Sequence, residues 1–172
     1  MDYLEQFVIP FYGLKNGTHH YNYIVDNEFF ENFEFTEITE GDFRVDLNLE
    51  KQERMLEFEF AISGKAKLNC DRCGGDLLLP VDGENKLIIK FGPEKQEISD
   101  EVLIIPESAH RIDISSFIYE FIMLHLPYKR VHAPDKDGNS TCNPEVIERL
   151  GVKSEHASTD PRWESLKKIK FK

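Results

Sequence analysis

An α+β fold is what this sequence predicts: a mainly antiparallel β-sheet, open or barrel-like, with a buried helix and short C-terminal helices packed against it. Three observations lead there. Residues 43–62 alternate apolar and polar side chains with a period of two, the signature of half-buried strands. Further short apolar runs, punctuated by Gly, Pro and Asp, follow as far as residue 106. After residue 113 the apolar spacing becomes that of a helix.

The elements follow in order. Phe7-Val8-Ile9-Pro10-Phe11 is apolar but carries a proline, which places it at a sheet edge or a strand end. Residues 19–25 alternate through Tyr21, Tyr23 and Val25 and read as a strand, so the N-terminal part is expected to be β. Phe29, Phe30 and Phe33 have helical spacing and predict a short helix capped by Asp26 or Asn27. Phe43, Val45, Leu47 and Leu49 form the apolar face of the next strand, and Leu56, Phe58, Phe60 and Ile62 that of its hairpin partner. Ala66 and Leu68 carry this partner on into Cys70-Asp71-Arg72-Cys73, with Gly64 as a candidate bend or bulge. Residues 77–81 and 87–91 read as another hairpin turning through Asp82-Gly83. Residues 102–105 make a short strand that Pro106 stops.

The period then changes. Asp113 or Ser115 can cap a nearly buried helix to about Leu126, with Ile114, Phe117, Ile118, Phe121, Ile122 and His125 on one stripe. Pro127 ends it. Pro144 opens a short helix and Gly151 closes it. Residues 1–151 are therefore expected to form one β-rich domain. Residues 152–172 are expected to be a linker and a short basic helix, capped by Asp160, with Trp163 and Leu166 turned inward.

Charge narrows the function classes. Against 32 acidic side chains stand 21 basic ones, a net charge of −11. Such a field repels polyanions at long range and attracts basic partners, so non-specific duplex binding is not expected. The imbalance is uneven: residues 1–69 carry 14 acidic and 6 basic groups, whereas residues 160–172 carry 2 and 5. Thirteen Phe and six Tyr require a packed core, which excludes a disordered chain. The first residues are acidic, no apolar leader core follows, and no run approaches 18 apolar residues, so a cytoplasmic protein without membrane contact is expected. Three cysteines, an odd number, argue against a disulfide framework.

The Cys70–Cys73 turn is the most informative local feature. Two cysteines at this spacing can form a metal knuckle, a redox pair at a helix N-terminus, or a pair of small buried apolar groups. A strand precedes the turn, and Gly74-Gly75 and strand-like residues follow it, which fits a knuckle better than a redox helix. Cys142 and His132 lie in a later polar loop. With Cys70 and Cys73 they would complete a Cys₃His set, a normal closed arrangement for one structural zinc. The spacing is not that of a local zinc finger, and cysteines without metal remain the alternative. His19 and His20 fall on opposite strand faces, and His125 closes the helical stripe. No His-Glu-x-x-His, phosphate loop, Gly-x-Ser-x-Gly or dinucleotide fingerprint occurs, so nothing specific marks an enzyme.

Taken in order, Cys70-Asp71-Arg72-Cys73-Gly74, Leu124-His125-Leu126-Pro127, Val131-His132, Cys142 and Asp160-Pro161-Arg162-Trp163-Glu164-Ser165-Leu166-Lys167-Lys168 resemble the YceD family, associated with accumulation of 23S ribosomal RNA. The last piece looks like the form seen in Bacteroidetes-type members. The resemblance implies one cluster of Cys70, Cys73, His132 and Cys142, although the stretch from His132 to Cys142 is longer than the family pattern. It also implies a role in large-subunit biogenesis, with ribosomal or pre-ribosomal proteins as partners and no known catalytic reaction. Where rRNA is touched locally, Arg72, Arg162, Lys167, Lys168, Lys170 and Lys172 are the candidate contacts. The alternatives are a general protein-interaction module with a structural metal site and an RNA-processing enzyme.

Overall fold

The alternation of residues 43–62 builds the centre of a six-stranded sheet. The computed structural model describes residues 3–34 and 36–151. Along them run a 3₁₀ turn at Tyr3–Phe7, β1 (Val8–Ile9), a second 3₁₀ turn at Phe11–Gly13, β2 (Gly17–Val25) and α1 (Asn27–Glu31). Then come β3 (Glu40–Lys51), β4 (Met55–Asn69), β5 (Asp76–Gly92), β6 (Gln96–Ser99), β7 (Val102–Pro106), β8 (Ile112–Asp113), α2 (Ser115–Leu124) and α3 (Pro144–Gly151). The large sheet has the order β2-β3-β4-β5-β7-β6, while β1 and β8 make a separate pair. Every neighbour in the large sheet is antiparallel except β5 with β7. β2 and β6 are its edges, so the sheet is open and no barrel closes among the described residues.

The predicted apolar faces form the core. Phe43, Val45, Leu47 and Leu49 of β3 and Leu56, Phe58, Phe60 and Ile62 of β4 are all buried, and their alternate neighbours point outward. α1 begins as predicted, with the Asp26 carboxylate accepting the Glu28 N–H at 3.1 Å. It delivers Phe29 edge-on to Phe7 at 5.0 Å between ring centroids. α2 lies on the sheet through Ile118, Phe121 and Ile122, each burial stabilising by roughly 2 kcal/mol. Its Phe121 meets Phe60 of β4 edge-on at 5.1 Å.

Several expectations need correction. Of the Phe7–Phe11 run only Val8–Ile9 is strand, paired with β8, because Phe7 closes one 3₁₀ turn and Phe11 opens another. Gly64 marks no bulge, because the β3–β4 and β4–β5 registers run through it unbroken. Asp82-Gly83 is no hairpin turn either. β5 is one continuous strand of 17 residues, in which Ser63 faces Asp82 and Ile62 faces Gly83. The glycine serves packing there: a Cβ on Gly83 would sit 2.2 Å from the ring of His125, at the end of α2. β6 is an added edge strand inside the acidic segment and is fully exposed. α2 stops at Leu124 and is buried on one side only, with Phe117 and Met123 half-buried and Leu124 70% exposed. The short basic helix expected near the C-terminus, with Asp160, Trp163 and Leu166, lies outside the described residues.

Candidate metal centre

β4 and β5 extend beyond the rest of the sheet, and the knuckle joins their ends. Asn69 and Asp76 are the last paired residues. Between them the Gly74 N–H donates to the Cys70 carbonyl and the Cys70 N–H to the Gly75 carbonyl, both at 2.8 Å. Gly74 has a φ of +69°, a left-handed conformation that costs other residues about 1–2 kcal/mol. No helix follows Cys73; the chain goes straight into β5, so the turn lacks the helix N-terminus that a thioredoxin-like pair uses.

The later loop is fastened onto this turn. The Asp71 N–H donates to the Arg130 carbonyl, and the Arg130 N–H donates to the Asp71 carboxylate, each at 2.7 Å. Arg130 also reaches Glu37. Two residues on, His132 lies beside the cysteines. The longer stretch between His132 and Cys142 closes on itself. Asp135 accepts the N–H groups of Asp137 and Asn139 at 3.0 and 2.7 Å, and the Thr141 hydroxyl donates to the Ala133 carbonyl at 2.7 Å. These bonds turn the extra residues outward and return the chain, so Cys142 arrives next to His132. Cys70, Leu77 and Cys142 are buried in a small satellite core, against which Leu79, Val131 and Ile147 pack.

The four side chains named from sequence are thereby brought together. One ligand atom from each of Cys70, Cys73, His132 and Cys142 lies within 4.8 Å of every other. The sulfurs of Cys70 and Cys142 are 3.9 Å apart, and His132 Nδ1 is 3.6 Å from both Cys73 Sγ and Cys142 Sγ. A tetrahedron with Zn–S bonds of about 2.3 Å and a Zn–N bond of about 2.05 Å has edges of about 3.8 Å (S–S) and 3.6 Å (S–N). The donor set fits that ion in kind, number and spacing.

The surroundings fit it as well. His132 Nε2 lies 2.9 Å from the Asp76 carbonyl, which can only accept, so this nitrogen carries the hydrogen and Nδ1 faces the sulfurs. That hydrogen bond, followed by the Cys142 sulfur, raises the His132 pKa to about 9. Burial opposes ionisation of Cys70, but the N–H groups of Cys73, Arg72 and His132 and the Cys73 thiol outweigh it and lower its pKa to about 6. The Ser140 hydroxyl leads in lowering that of Cys142, against burial. Lys67 lies between Glu40 and Asp76, at 2.8 and 2.9 Å, and braces the strand ends. The positioning groups Asp71, Asp76, Arg130 and Ser140 were not legible in the sequence. Three of them act wholly or partly through main-chain atoms, which leave no side-chain pattern to read.

Of the candidate contact residues, Arg72 lies exposed on the knuckle and forms no ion pair with the described residues. Arg162, Lys167, Lys168, Lys170 and Lys172 fall outside the described residues. His20 pairs with Asn48, His19 bonds the Lys15 carbonyl, and His125 bonds Asn85. None of these three joins the cluster. No helix among the described residues is long and apolar enough to cross a membrane.

Comparison with curated proteins and with solved structures returned no match. The family described as "Large ribosomal RNA subunit accumulation protein YceD" matches residues 58–170, which span β4, the knuckle, α2, the His132–Cys142 loop and the C-terminal segment. With two thirds of its length in that match and the cysteine cluster inside it, this chain belongs to the YceD family.

Proposed function

We propose that this protein is a non-enzymatic factor that supports 23S rRNA accumulation and large-subunit biogenesis in the cytoplasm, with one structural zinc held by Cys70, Cys73, His132 and Cys142. The family description supports the ribosomal role. The observation that carries the non-enzymatic part is the closed donor set: four protein ligands converge within 4.8 Å, leaving no open coordination position for water or substrate. A zinc there would hold the His132 loop onto the end of the β4–β5 pair. Ribosomal or pre-ribosomal proteins suit the net charge of −11 better than bare RNA does. Arg72 and the basic C-terminal residues Arg162, Lys167, Lys168, Lys170 and Lys172 supply any local rRNA contact.

The test has two parts. Native mass spectrometry of protein purified without a metal-affinity tag should find one zinc per chain, lost in Cys70→Ser. Deletion of the gene should lower 23S relative to 16S rRNA, and the wild-type chain, but not Cys70→Ser, should restore it. A metal-free, fully folded wild type refutes the zinc. Unchanged rRNA levels after deletion refute the role.

A further inference from the structure

Away from the cysteine cluster, α2 and the sheet enclose a groove of about 1240 Å³. Its walls come from the middle of β4 and β5, from β6 with the turn into β7, and from one side of α2. Glu97, Asp100, Glu101 and Glu120 line it together with Lys95, whereas Glu59, Glu84 and Lys86 reach only its rim, since they alternate with Phe60 and Asn85 and so point to the sheet face away from α2. Lys86 pairs with Glu59 at 2.6 Å on that other face, which leaves the four acids Glu97, Asp100, Glu101 and Glu120 with a single lysine on the α2 side. None of these four forms an ion pair with the described residues. The acids are not gathered as a cation site would gather them: the only group of His, Cys, Asp or Glu ligand atoms in coordinating range among the described residues is the cysteine cluster.

The groove also has an apolar side. Phe117 and Met123 are half-buried along it, and Leu124 is 70% exposed at its rim. α2 ends in this exposed leucine, so an apolar contact site lies directly beside the acidic wall. Partial burial, then the nearby carboxylates of Glu97 and Asp100, raise the pKa of Glu120. Acids from α2, β6 and the β6–β7 turn therefore crowd one another with no cation between them, and a guanidinium or ammonium group entering the groove would relieve that repulsion.

We infer that this groove is a docking site for a basic polypeptide segment of a partner protein, one in which Lys or Arg alternates with apolar side chains. The cations would sit among Glu97, Asp100, Glu101 and Glu120 while an apolar anchor covers Leu124 and Phe117. A nucleic acid strand is disfavoured here, since its phosphates would meet four unpaired carboxylates. β4, β5 and α2 are regular packed elements, so the site is preformed and binding costs little reorganisation. The inference goes beyond the ribosomal role and the zinc site. It is read on purified protein, so either conclusion can fail without the other.

The test is fluorescence anisotropy with the purified full-length chain and a labelled synthetic peptide of alternating Lys/Arg and Leu. An oligolysine peptide, the same peptide with Glu for Lys, and a single-stranded RNA serve as comparison probes. The Lys/Arg–Leu peptide should bind best and weaken steeply with salt. Charge reversal in Glu97→Lys/Glu120→Lys should weaken it at least tenfold, and Leu124→Ser severalfold. All three side chains are exposed, so the variants should keep the wild-type circular dichroism and melting temperature. Binding equal in wild type and variants, no binding, or tighter binding of the RNA at this groove would overturn the inference. So would binding that appears only in the full chain carrying Lys167→Glu, Lys168→Glu, Lys170→Glu and Lys172→Glu, because that assigns the groove to the chain's own basic end.

Discussion

His132 is where the chemistry of this protein is concentrated. Its Nε2–H is committed to the Asp76 carbonyl and its Nδ1 faces two sulfurs, so in the metal-free chain the ring holds its second proton up to about pH 9. Zinc must displace that proton. Apparent zinc affinity should therefore rise at least tenfold per pH unit toward pH 9, and more steeply wherever a ligand thiol must also lose its proton. Below about pH 6 the Cys70 thiolate is protonated as well, and the dependence should become steeper still. Chelator competition across this range measures the slope. A flat affinity between pH 7 and 9 would remove His132 from the ligand set. The identity of these four residues was legible from residue types and order alone. Their convergence was not, because it depends on the Asp71–Arg130 bonds and on the self-closing loop around Asp135, neither of which has a sequence period.

Among the elements, β5 teaches most. Asp82-Gly83 has the residues of a tight turn, yet β4 offers fifteen residues of unbroken partner and the ladder continues through them. The glycine is kept for room, since the ring of His125 occupies the space of its missing side chain and bonds Asn85 at 2.7 Å. Gly83→Ala should then cost about 1–3 kcal/mol by forcing the end of α2 outward. Removing the ring in Gly83→Ala/His125→Ala should recover part of that loss. Urea unfolding of the four-member cycle checks the coupling, and strictly additive effects would count against the contact. Strands with one buried face, such as β3 and β4, were readable because alternation records which side meets the core. The exposed β6 buries no side chain and so leaves no such record, and the parallel pairing of β5 with β7 is a choice of neighbour that no local pattern encodes. The burial of α2 was overestimated because its apolar residues extend past the stripe that touches the sheet.

Among the described residues there are two centres of cohesion. One is the Phe-rich core between the sheet, α1 and α2; the other is the small cluster of Cys70, Leu77 and Cys142 at the far end of β4 and β5. The second is too small to hold the His132 loop by apolar burial alone, so its cohesion should depend on metal. Removing zinc with a chelator should speed amide exchange at residues 68–78 and 130–147 while the middle of β3 and β4 stays protected. Exchange that rises uniformly across the chain would mean that the two parts unfold as one. The division into two cohesive regions depends on long-range packing, which leaves no local pattern in the sequence.

The long β4–β5 pair also acts as a spacer of fixed length. From Asn69 beside the knuckle to Glu59 at the rim of the groove the strand covers ten residues, roughly 33 Å at about 3.3 Å per residue. β3 backs β4 from Leu56 to Lys67, so this stretch is a three-stranded support that holds the knuckle and the groove at a set distance from each other. Because successive side chains alternate faces, its reach can change only in steps of two residues per strand, about 7 Å, without turning one of the two surfaces to the wrong side.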